Sequence, residues 1–168
     1  IGNRSYGSSS SRVTRQALAI MQGHHEAGVL TSGKHFPGHG DTSQDSHKTL
    51  PTVEFSADRI NKIELSPYRK LIKKGLSSIM VAHLNIPSIS EDGLPTSLYK
   101  EVIQGILKEE LGFRGLIVTD ALNMKGLAQD LPPGEIEVRA IEAGNDLLLF
   151  VSDPKAAIDA IIEAIKIG

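Results

Sequence analysis

A chain of 168 residues with 40% hydrophobic content can build one sizeable core, which predicts a single globular domain and excludes a disordered tail. Its 18 basic and 20 acidic side chains nearly cancel, only 4% of residues are aromatic and no basic run occurs, so neither nucleic acid nor a membrane surface is an expected partner. With no Cys there is no disulfide, thiolate metal site or cysteine nucleophile, and no apolar run approaches the roughly 18 residues of a membrane span.

The opening "IGNRSYG" (1–7) reads as a loop that already carries Arg4, and the lack of an initial Met predicts that sequence is missing before Ile1. Helical spacing of Val13, Ala17, Ile20 and Met21 predicts a helix from Ser11 to Ala27, ended by Gly28. "LTSGKH" (30–35) fits a strand. "GKHFPGHGDTSQDSH" (33–47) must contain a loop, because Pro37 and Gly38 break a helix. Ser56 suits the N-cap of the next helix, with Ile60, Ile63, Leu65, Tyr68, Leu71 and Ile72 on its face, Pro67 as a kink or break and Gly75 as its end. "SSIMVAHL" (77–84) is a buried strand. Thr96 is expected to cap a helix whose face is Leu98, Val102, Ile106, Leu107 and Leu111 and whose terminator is Gly112. "RGLIVTD" (114–120) is another strand, followed by a helix from Glu135 to Ala143, a strand in "NDLLLF" (145–150) and a closing helix from Asp153 to Lys166.

Apolar strands without alternation, each followed by a helix, predict an α/β fold with a parallel sheet buried on both faces. About four βα units fit either an open doubly wound sheet or half of an eight-stranded barrel, and no dinucleotide fingerprint is present. Lys34, His35, His83 and Asp120 fall at the carboxyl ends of the strands, where both architectures place their sites. A barrel gathers such residues at one centre.

The loop at 33–47 admits four readings. A metal site would use His35, His39 and His47 with Asp41 or Asp45, but His35 and His39 share a face only on a helix, which Pro37-Gly38 forbids. A phosphate loop in "GVLTSGKH" (28–35) has His35 where Ser or Thr should bind magnesium, and it opens a strand where a helix is required. An acid/base pair is offered by Asp45 and His47, since a carboxylate two residues away can fix the imidazole tautomer and raise its basicity. A solvated turn fits the same "DSH". Asp120, an acid at the mouth of an apolar strand, is the candidate nucleophile or second carboxylate, with a cap or turn residue as the competing assignment.

"KHFPGHGDTSQDSH" with "LP" after it, then "MVAHLNIP", then "ELGFRGLIVTDALNMKG", resembles the β-N-acetylglucosaminidase (β-N-acetylhexosaminidase) branch of glycoside hydrolase family 3, in order along nearly the whole chain. The resemblance implies the second half of a (β/α)8 TIM-type barrel, with residues 1–168 forming a partial catalytic domain whose front half is absent. It implies a retaining reaction that releases terminal β-linked N-acetylglucosamine from cell-wall or chitin-derived glycans, as in bacterial peptidoglycan recycling. Asp120 then matches the nucleophile, His47 the acid/base, and Asp45 its assistant. Arg4, Lys34 and His35 match sugar-binding residues; Asn123 and Met124 are expected to line or support the site, and His39 and Asp41 to be structural within the loop. His83 is expected either to support the site from behind the residues that meet the sugar or to be a strand-end residue, and His24 and His25 to face solvent or pack. No cofactor and no metal are expected. The expected partners are the carbohydrate and the missing half of the barrel, or further copies of the chain; the compartment is left open. Phosphorolysis of the same glycosides and a non-catalytic sugar-binding module are the alternatives, and "DSH" disfavours the family's β-glucosidase branch.

Overall fold

Four apolar runs form one parallel sheet: β1 (Ser32–Phe36), β2 (Ser78–Val81), β3 (Leu116–Ala121) and β4 (Leu147–Leu149). The computed structural model describes residues 4–40, 50–90, 93–124, 127 and 131–168. Spatial order follows chain order, β1-β2-β3-β4, without reversal. Right-handed crossovers stepping always in one direction put the connecting helices on one face, which is how a barrel is built and not how a doubly wound sheet is. The predicted α/β fold of four parallel strands with flanking helices is therefore the one observed.

Among the described residues five α-helices accompany the sheet: α1 (Ser10–Glu26), α2 (Ala57–Arg59), α3 (Leu65–Lys73), α4 (Glu135–Ala143) and α5 (Pro154–Ile167). Three of them start on side chains that satisfy a free backbone N–H. Ser9 accepts from Arg12, Ser56 from Arg59, and Asp153 from Ala156. At the other end of α4, Gly144 has φ +109, a left-handed conformation that closes a helix and suits glycine.

Two helical expectations change. Pro67 does not end the helix: a π-helical turn, Ile60–Glu64, joins α2 to α3, and this irregularity in the helix falls just before Pro67. Thr96 caps nothing. Its hydroxyl is buried, donates to the Ala82 carbonyl at 2.7 Å and accepts from Leu84 N–H at 3.3 Å, so it ties the end of β2 to a 3₁₀ turn, Thr96–Leu98. The helix beyond is the π-helical segment Glu101–Glu110, with Val102, Ile103 and Leu107 buried; Ile103, absent from the predicted face, stands three and four residues before Ile106 and Leu107 and shares their side.

The two faces of the sheet differ. Ile79, Val81, Ile117 and Thr119 point into the helical layer and are fully buried, among Tyr68, Leu71, Ile103, Leu107 and Phe113. Each such Ile contributes roughly 1.5–3 kcal/mol by leaving water. Gly33 belongs to the same layer, where a Cβ would come within 2.9 Å of Leu76 and 3.3 Å of Tyr68. The opposite rows, Ser32-Ser78-Leu116 and Lys34-Met80-Val118-Leu147, are half-buried or exposed, Leu116 by 45% and Leu147 by 42%. Burial on both faces is thus corrected within this chain: apolar side chains occupy both faces, and its own helices cover one.

Candidate active site

The polar residues of the strand ends converge where the sequence predicts. Asp120 lies two residues beyond Val118, on the face that the helices leave open, at the carboxyl end of β3. Its Oδ2 stands 3.7 Å from His35 Nε2, and both side chains are largely buried, 17% and 11% exposed. Its Oδ1 accepts from the Ala121 N–H at 2.9 Å. His35 lies at the end of β1, between two cis peptide bonds, Lys34–His35 and Phe36–Pro37, and the register with β2 shifts between Lys34 and Phe36.

Burial holds the His35 imidazole well below its ordinary value of 6.5, at about 4; Asp120 opposes that shift, while Lys34, His39 and Arg4 add to it. At neutral pH His35 is therefore an uncharged ring beside the carboxylate, and the pair is not an ion pair. His39 meets His35 edge to face, ring centres 5.7 Å apart, and burial lowers its pKa too. Arg4 and Lys34 are exposed and line, with His35 and His39, a cleft of about 1030 Å³ between α1 and β1. Asp120 does not line that cleft; it neighbours His35, which does.

Arg4, Lys34, His35 and Asp120 are thus brought to one place, and His39 joins them. Asp45, His47 and Asp41 lie outside the described residues. The flanks of that stretch are described. Gly38 abuts Glu64, since a Cβ there would approach Glu64 Cγ to 2.7 Å. On the far side Val53 N–H donates to the Asn85 carbonyl, and Asn85 N–H to that of Pro51, both at 2.9 Å. Both flanks therefore stand at the carboxyl end of the sheet.

His83 is confirmed as a strand-end residue and is buried behind Asp120, with Ser97 and Asn145 around it. Sequence reasoning missed those two, and also Glu64, whose largely buried carboxylate faces Arg59 at 3.5 Å while Arg59 lies over the Phe55 ring at 3.4 Å. A polar residue inside an apolar helix face, as Glu64 is, was the available signal. Met124 is buried near the site's edge and Asn123 is exposed.

Residues 1–168 match the family described as "Glycosyl hydrolase family 3 N terminal domain". A β-hexosaminidase of Nitrosospira multiformis is 37% identical over 157 residues, covering 94% of this chain and 44% of that protein. Among solved structures, a glycoside hydrolase family 3 β-N-acetylglucosaminidase from Paenibacillus sp. is similar with a TM-score of 0.92 and 42% identity, over 98% of this chain and 32% of that one. A β-glucoside phosphorylase is similar with a TM-score of 0.92 and 36% identity, over 98% of this chain and 31% of that one. The chain spans less than half the length of each of these relatives.

Proposed function

Because the chain belongs to glycosyl hydrolase family 3, we propose that the protein at its full natural length removes terminal β-linked N-acetylglucosamine from cell-wall or chitin-derived glycans, with retention of configuration. The observation that carries the reading is the Asp120 carboxylate at the mouth of β3, beside the uncharged imidazole of His35 and near the cationic Arg4 and Lys34. A neutral neighbour leaves the carboxylate lone pairs free to attack, where a cation would hold them in an ion pair.

In the first step Asp120 bonds to the anomeric carbon while the bond to the leaving oxygen breaks, and His47 gives that oxygen a proton. Water then attacks the anomeric carbon of the glycosyl ester as His47 takes a proton from it, and Asp120 departs as carboxylate. Asp45 orients the imidazole. Arg4, Lys34 and His35 offer hydrogen bonds to sugar hydroxyls. The roles of His47 and Asp45 rest on the sequence and on the position of the flanks of their loop.

A fluorosugar that forms the ester but hydrolyses slowly tests the assignment. The label is expected on Asp120 in the peptide map, and a label on any other carboxylate overturns it. A second reading, phosphorolysis, is favoured by the similarity to a β-glucoside phosphorylase. An imidazole acid/base carries no negative charge to repel phosphate. Release of a sugar 1-phosphate in phosphate buffer, in place of the free sugar, decides for it.

A further inference from the structure

His83 follows β2, is only 2% exposed, and its ring nitrogens reach in opposite directions. Nε2 lies 3.1 Å from the carbonyl oxygen of Ala121, the residue after Asp120, and Nδ1 lies 2.6 Å from Ser97 Oγ. A carbonyl can only accept, so Nε2 carries the proton. Nδ1 is then the acceptor, and the Ser97 hydroxyl donates to it. Burial holds this imidazole below its ordinary pKa, against the pull of the Ala121 carbonyl and of Asp120, so it stays neutral.

Ser97 is itself tied down. Its backbone carbonyl accepts from Asn145 Nδ2 at 2.8 Å, and the same amide donates to the Ala140 carbonyl of α4 at 2.6 Å. A continuous line of hydrogen bonds thus runs from α4 through Asn145, Ser97 and His83 to the peptide that follows Asp120. The Ala121 carbonyl also accepts from Met124 N–H at 3.2 Å, so His83 and the turn after β3 hold one oxygen from two sides. None of these groups touches the open cleft.

We propose that His83 is a positioning residue for Asp120: as the neutral, Nε2-protonated tautomer fixed by Ser97, it anchors the Ala121 carbonyl and thereby the backbone that aims the Asp120 carboxylate. The inference rests on Asp120 being the nucleophile. A buried, fully paired donor at this point costs no reorganisation during attack, and an ångström of misplacement costs on the order of 100-fold in rate.

The test uses His83→Ala, His83→Gln and Ser97→Ala in the protein at its full natural length, with active sites counted by fluorosugar titration. His83→Ala is expected to lower kcat per titrated site by roughly 10- to 100-fold and to leave KM nearly unchanged. Glutamine carries an N–H at similar reach, and His83→Gln should recover most of the loss. Ser97→Ala, which frees the tautomer but keeps the ring, should fall between wild type and His83→Ala, and it carries the test alone if His83→Ala does not fold. An unchanged kcat per titrated site in both His83→Ala and Ser97→Ala, with only melting temperature or active fraction reduced, makes the network merely structural and overturns the proposal. A Gln variant no better than Ala overturns it as well. If the wild-type label maps to a residue other than Asp120, the nucleophile assignment fails first and the positioning role falls with it.

Discussion

Each end of the sheet holds histidine, and only one end looks like a site. At the amino end His25 Nε2 stands 3.1 Å from Thr31 Oγ1 and 3.4 Å from Ser77 Oγ, beside the backbone bond from Ser78 N–H to the Thr31 carbonyl. Imidazole and hydroxyls there join the chain before β1 to the chain before β2, and no carboxylate is among these contacts. At the carboxyl end His35, His39 and His83 are buried, all three are held below the ordinary imidazole pKa, and Asp120 lies among them. What separates the two ends in this chain is a carboxylate close to the imidazoles, not the count of polar groups.

Replacing Asp120 by Asn should have the largest effect, lowering turnover on the order of 10⁴-fold or more while the melting temperature moves little. Near-normal rates on an aryl N-acetyl-β-glucosaminide would erase the difference between the two ends. His47→Ala should cost roughly 10²–10⁴-fold on substrates with poor leaving groups and far less on activated aryl glycosides, since only the former need their oxygen protonated. Equal losses across leaving groups would assign His47 to binding or folding.

Acid should weaken the carboxyl end. His35 is neutral in the folded chain down to about pH 4, because burial outweighs the attraction of Asp120, whereas in the unfolded chain it takes up its proton near pH 6.5. Between those values the unfolded state binds more protons, so stability falls as pH drops from about 6.5 to about 4 and levels off below. His39 and His83 act in the same direction. Denaturant midpoints measured across this range should decline, and the decline should shrink in His35→Gln; a midpoint that is flat from pH 7 to pH 4 contradicts the shifts. The smallest effect belongs to the amino end, where His25→Ala should cost about 1 kcal/mol of stability and leave kcat unchanged. A kcat loss there comparable to that of His83→Ala would break the division.

The strands were legible because each is a short apolar run bounded by Gly or polar residues, and Ser56 and Asp153 announced two helix starts. Local chemistry sufficed for those. Thr96 misled because its hydroxyl is taken by Ala82 and Leu84, 14 and 12 residues back, and a side chain with a distant buried partner does not serve as a local cap. The exposed rows of the sheet were misread because "LIVTD" looks the same whether one face or both are covered. Among the candidate site residues, Lys34, His35 and Asp120 were singled out by their places at strand ends, and Arg4 by the family resemblance. The anchoring of Ala121 by His83 was not, since 38 residues separate the partners and only the parallel pairing of β2 with β3 brings them together.

Stacking of the strands in strict chain order bears on how the protein is made. Each strand bonds only to the one synthesised just before it and the one synthesised just after, and successive strands are about thirty to fifty residues apart. At a ribosomal rate of roughly 5–20 residues per second, several seconds pass between strands, while the closing of a short loop takes well under a millisecond. A newly emerged strand of this sheet therefore finds the strand it pairs with already waiting at the growing edge.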